Sequence, residues 1–151
     1  MVSDQLGVKG FQVFLPKASS WSMRRGERQR VDTPLFPGYL FVHHPMDKHS
    51  HVEIIKARGV VRVLGERWDR LETIDNDVMA GVQKISHAGA TVRPHPHLSS
   101  GERVRVTGGP FQGLHGIFVR ERSTKGLFVL SIDLLQRSVA VEVDCSLVEA
   151  A

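Results

Sequence analysis

The stretch Ser86 to Ser100, SHAGATVRPHPHLSS, interrupts every hydrophobic period of the chain and more than any other feature limits what it can fold into. Pro94 and Pro96 force extended backbone around them, and about fifteen residues without helical or strand pattern read as an interdomain linker. A chain of 151 residues is long enough for one medium domain or two small ones. The interruption favours two: an N-terminal domain over residues 1–85 and a C-terminal domain over residues 101–151, joined by residues 86–100.

The first piece has mixed periodicity. Phe11 to Leu15 and the aromatic run Pro34 to Val42, PLFPGYLFV, are strand candidates, and the polar, basic segment Trp21 to Arg30 between them reads as a loop. Val52 with Ile55, and His51 with Ile54 and Ile55, fall at helical offsets and predict a helix from about Asp47 to Ala57, ending before Gly59. Val60 to Leu64 then reads as a strand. Asp75 is placed to cap a second helix with an apolar stripe of Val78, Met79, Val82 and Ile85, weakened by Gly81. The order β, β, α, β, α predicts an α+β domain with helices packed on a small sheet.

The second piece reads as all β. Strands are expected at Arg103–Val106, Gly116–Glu121, Leu127–Ile132, Arg137–Val143 and Ser146–Val148, and Val139, Val141 and Val143 alternate with Ser138, Ala140 and Glu142. So many short strands would present exposed edges unless they closed, so an SH3-like barrel is the expected form.

Chemistry is limited by what is scarce. The single Cys145 excludes an intramolecular disulfide and any zinc site needing two thiolates from one chain. Neither an 18-residue apolar run nor a signal-peptide pattern occurs, so a cytoplasmic protein with no membrane partner is expected. His43, His44, His49 and His51 fall close together and His95 and His97 lie in the linker, but no H-E-x-x-H pattern accompanies them. A metal-dependent hydrolase is therefore a distant reading. With no G-x-S-x-G elbow and no P-loop, the expectation is a binding protein without cofactor or catalysis. The formal charge of +4 suits a polyanionic partner without requiring one; its distribution is more informative. Arg24, Arg25, Arg28 and Arg30 put four cations in seven residues, beside Trp21. Arginine binds phosphate through its fork and stacks on bases with its plane, although such a run also suits a solvated loop.

Two segments carry a family resemblance. PLFPGYLFV at Pro34 to Val42, followed by GVVRVLG at Gly59 to Gly65, resembles the core of the amino-terminal (NGN) domain of NusG-type transcription elongation factors. GERVRVTGGPFQGLHGIFVRE at Gly101 to Glu121, continued by VAVEVD at Val139 to Asp144, resembles the KOW domain of the same family. Gly108, Gly109, Pro110, Gly113 and Gly116 are the turn residues of that motif, whatever the function.

The resemblance implies a transcription elongation, antitermination or termination factor. It assigns Phe36 and Tyr39 to a groove for the RNA polymerase clamp helices, although aromatic strand residues are ordinarily core. It assigns the four arginines to DNA or RNA at the transcription bubble, and Leu134 and Leu135 to a surface that recruits the ribosomal protein NusE or the factor Rho. PLFPGYLFV, GIFVRE and SIDLLQR look closer to specialised antiterminators such as RfaH, whose KOW domain can switch to a helical hairpin; the alternating valines favour the barrel. Family members open with a strand and a long helix, whereas this chain starts at what would be that helix's end, SDQLGVKG, so the first strand and most of the first helix are expected to be missing. The alternative reading is a KOW-containing, ribosome-associated RNA-binding module.

Overall fold

In a computed structural model that describes residues 1–88 and 91–151, the side chains of residues 19 and 20 excepted, helix and strand are mixed along the chain, as an α+β class requires. Gly89 and Ala90, inside the expected linker, lie outside the described residues. The chain forms two compact units: Met1–Leu15 with Gly38–Thr73, and Pro16–Pro37 with Ile74–Ala151. The 86–100 stretch therefore falls inside the second unit.

The first unit is built on α1 (Val2–Val8), β1 (Gln12–Phe14), β4 (Phe41–His43) and α2 (Lys48–Ile55). A seven-residue helix is marginal alone, and tertiary contacts hold it. Leu6 is buried with Phe11, Ile54 and Ala57, rimmed by Val2, Val13, Leu40, Val42, Met46, Val60 and Val63. Gln5 adds a two-way clasp: its Nε2 donates to the Arg58 carbonyl (3.1 Å) and its Oε1 accepts from the Arg58 N–H (2.9 Å). The helix expected at 47–57 is present. Asp47 caps it by accepting from the Ser50 N–H (2.7 Å), and the backbone and side-chain hydrogen bonds of Ser50 hold the Asp47 carboxyl below its ordinary range.

Two strand expectations fail here. Val60–Leu64 forms no ladder, only a bridge from Gly65 to Leu71. Val60 and Val63 turn into the core while Val61 is 93% exposed, a spacing of three where a half-buried strand needs two. Of PLFPGYLFV only the first residue, Pro34, which ends an earlier strand, and the end from Phe41 are strand, with Phe14 opposite Phe41 and Val13 opposite Val42. Pro37 cannot donate to a ladder and Gly38 turns with φ 85°, so the middle of the run bends away.

The second unit carries a hairpin of β2 (Lys17–Arg24) and β3 (Glu27–Pro34), then α3 (Asn76–His87) and the strands β5 (Val92–His95), β6 (Glu102–Val106), β7 (His115–Arg120), β8 (Lys125–Ile132), β9 (Arg137–Asp144) and β10 (Val148–Ala150). The last six form one antiparallel sheet in the order β10-β6-β7-β8-β9-β5. All five strands expected in the C-terminal piece are present, the last shifted past a 3-10 turn at Cys145–Leu147.

The expected closure is not seen. Among the described residues no pairing joins the end strands β10 and β5, and β5 occupies the outer edge of β9. That strand comes from the segment expected to be linker. Pro94 is tolerated in an edge strand, where a missing N–H can face away from the ladder. Past β5, Leu98 is pinned by two serines: its N–H donates to Ser138 Oγ (3.2 Å) and its carbonyl accepts from Ser131 Oγ (2.6 Å).

β8 and β9 are buried along most of their length, because the sheet is covered on more than one side. α3 lies against it with Val82 and Ile85 fully buried, and its Lys84 Nζ donates to the Gln112 carbonyl (2.6 Å). Gly81 explains itself here: a Cβ at that position would meet Leu130 at 3.2 Å and Leu114 at 3.5 Å. The residue that weakens the helix permits its close approach.

Candidate nucleic-acid and partner-binding surfaces

The segment Trp21 to Arg30, expected to be a loop, is the distal end of the β2–β3 hairpin. Pairing runs without a break from Lys17 opposite Pro34 to Arg24 opposite Glu27, leaving only Arg25 and Gly26 in the turn. Both have positive φ, 52° and 74°, which defines a turn of the I′ family, whose twist matches that of the flanking strands. Directly opposed residues share a face, so Trp21 with Arg30 and Met23 with Arg28 form one side. Ser22 with Gln29 and Arg24 with Glu27 form the other.

On the first side the arginines lie over the indole: the Arg28 guanidinium is 4.5 Å from the Trp21 ring centroid and that of Arg30 is 5.5 Å. Each contact is worth about 0.5–1 kcal/mol at an exposed site. Trp21 nevertheless remains 55% exposed and Met23 68%.

The hairpin therefore gathers all four predicted arginines: two on the tryptophan face, one on the reverse and one at the tip. Elsewhere Arg67, Arg70, Arg105, Arg120 and Arg122 each pair with a carboxylate. Among the described residues none of the hairpin's four does, nor do Arg58, Arg62, Arg93, Arg103 and Arg137; what sets the hairpin apart is four such cations in seven residues. Sequence reasoning missed the ribbon because its outer half buries nothing and its turn is Arg-Gly, not Asn-Gly. The readable signal was Trp21 and Met23 alternating with Ser20 and Ser22 ahead of Gly26.

The other predicted residues separate. Phe36 is 1% exposed and cannot meet a partner without local rearrangement, which corrects its expected place on a surface. Tyr39 is half-buried, and the two fall in different compact units. Leu134 and Leu135 sit in a 3-10 turn, Asp133–Leu135, closed by Gln136 in the left-handed region at φ 52°. The turn splits them: Leu134 is 39% exposed, while Leu135 is buried and belongs to the core. His97 Nε2 lies 2.8 Å from Asp133 Oδ1 beside this turn.

The KOW-type turn residues lie between β6 and β7, with Gly109 and Gly113 at positive φ, Gly108 and Pro110 in the same turn, and Gly113 N–H donating to the Val106 carbonyl (2.8 Å). Gly116 meets a different demand, since a Cβ there would come within 2.6 Å of the Val129 carbonyl oxygen and 2.7 Å of the Phe128 ring.

Two of the clustered histidines make structural contacts. His44 packs edge-on against Phe11 (4.7 Å between centroids) and hydrogen-bonds Ser50, while His43 reaches Gln12. Among the described residues no three His, Cys, Asp or Glu side chains are grouped to hold a metal ion, and no helix is long and apolar enough to cross a membrane.

The α+β chain thus combines an exposed basic hairpin with a glycine-turned β meander. Residues 1–83 match the family model described as "NusG: Transcription termination factor nusG". Over 141 residues the chain is 30% identical to the "Transcription termination/antitermination protein NusG" of Escherichia coli (strain K12), covering 93% of this chain and 78% of that protein. It is 29% identical over 139 residues to the protein of the same description from Buchnera aphidicola subsp. Baizongia pistaciae, covering 91% and 77%. A solved structure described as "Domain interaction in Thermotoga maritima NusG" shares the fold, with a TM-score of 0.55 at 14% identity, covering 99% of this chain and 86% of that one. The chain belongs to the NusG family.

Proposed function

We propose that this chain is a transcription termination/antitermination factor that acts by binding, not catalysis, in the cytoplasm. In this reading the N-terminal half docks on the clamp helices of RNA polymerase, with Tyr39 at the contact. The hairpin arginines meet DNA or RNA at the transcription bubble, and the meander recruits the ribosomal protein NusE or Rho through Leu134. Tethering both activities on one chain raises the effective concentration of the recruited partner at the polymerase.

The observation that carries the reading is family membership extending over both halves of the chain. The uncompensated arginines support its nucleic-acid limb. Capture on immobilised RNA polymerase tests it. Binding is expected to fall with Tyr39→Ala; no binding, or binding indifferent to that change, removes the clamp assignment. Retained binding to ribosomes or RNA in that case would favour a KOW-type RNA-binding module instead.

A further inference from the structure

We propose that the β2–β3 hairpin is a base-stacking platform for single-stranded nucleic acid, in which the Trp21 ring receives a base and the tip arginines hold the phosphates that follow. The proposal deepens the reading above and rests on it for the hairpin being a nucleic-acid surface.

Its starting point is an indole that the fold does not need. Trp21 and Met23 occupy one face of a ribbon whose outer part has no buried residue, and both are more than half exposed. Arg28 and Arg30 lie over the ring, so a base stacks on the indole by taking the place of a guanidinium, which is then free to meet that nucleotide's phosphate. A nucleobase seeks that combination, since its own π face stacks on the ring while its phosphate needs a cation nearby.

The tip supplies the rest. Arg25 lies four residues beyond Trp21, about 13 Å along a strand at roughly 3.3 Å per residue, and Arg24 precedes it. A strand with one base on Trp21 therefore reaches Arg25 within a few nucleotides, while Arg24, on the reverse face, meets only a strand that rounds the tip.

The chemistry favours separated strands over a duplex. A two-stranded ribbon can enter a major groove, but reading base edges there takes donors and acceptors on the inserted face. Here that face carries Trp21 and Met23, which pair with no base edge, and its arginines Arg28 and Arg30 lie over the indole. Bases in a duplex are already stacked and offer no π face to Trp21.

The chain has two tryptophans, so Trp68→Phe leaves Trp21 as the sole indole. In that background the full chain is titrated with single-stranded DNA, single-stranded RNA and the matching DNA duplex, following both indole fluorescence and affinity. The expected result is saturable quenching by single strands, weaker binding of duplex, and about 5- to 100-fold loss of single-strand affinity with Trp21→Ala. Trp21→Phe should recover part of that loss, and circular dichroism of both variants checks that the hairpin is retained. The DNA and RNA arms decide which strand is preferred.

Arg25→Asn suits the turn and removes one cation; it should reduce the slope of log affinity against log salt by about 0.7 while leaving the quenching intact. Salt-sensitive binding without quenching, or indifferent to Trp21→Ala, overturns the stacking proposal and leaves the nucleic-acid reading standing. No binding in any arm overturns both.

Discussion

The β2–β3 hairpin and the β8–β9 pair are both eight-residue antiparallel ladders in register along their length, yet they are stabilised in opposite ways. β8 and β9 bury nearly everything: Phe128 and Val139 are 0% exposed, and Gly116 beside them leaves no space for a methyl group. The outer hairpin buries almost nothing and holds its shape by backbone pairing, an I′ turn and cations over one indole. Backbone pairing alone is thus uninformative about role. A ladder whose side chains are committed to a core is free to do little else, whereas one whose side chains are uncommitted is available to a ligand.

Substitutions should separate the two ladders. The largest effect is expected from Phe128→Ala, which should lower the free energy of unfolding by about 3–5 kcal/mol in urea denaturation, through lost burial and the cavity left behind. Gly116→Ala should cost about 1–3 kcal/mol by forcing a carbonyl and a ring apart. Replacing Arg24 and Arg28 together by Gln should change stability by no more than about 1 kcal/mol, the worth of one cation over an exposed indole, yet flatten the salt dependence of nucleic-acid binding. A hairpin change as costly as Phe128→Ala would mean the ribbon is core after all.

The smallest effect is a pH dependence in the first unit. The Asp47 carboxyl is depressed in the folded state by its hydrogen bonds from Ser50, so the stability it adds is present above the ordinary carboxylate range and is lost as pH falls through the folded value. Asp47→Asn keeps a capping acceptor and should remove that acid-side loss; thermal unfolding followed from pH 7 down to pH 3 checks it.

Legibility followed burial. α2 and the five strands of the meander were readable because their residues alternate or recur with the period of a packed face. Val60–Leu64 misled because an apolar run can enter a core as irregular chain. The hairpin end was read as a loop because a ribbon exposed on both sides has no hydrophobic period to read. At the candidate sites the residue types were legible and their exposure was not: Leu134 and Leu135 are identical as letters, and only the 3-10 turn turns one outward.

By itself the sequence determined the α+β class, the turn glycines, the concentration of cations at Arg24 to Arg30 and the family, since each depends on residue type and local spacing. Only the tertiary structure decided that the proline-bearing 86–100 stretch supplies an edge strand, that Gly81 is a point of close approach and that Trp21 lies beneath two guanidinium groups. Those depend on which segments meet, and a pairing partner far along the chain leaves no mark in the local pattern it completes.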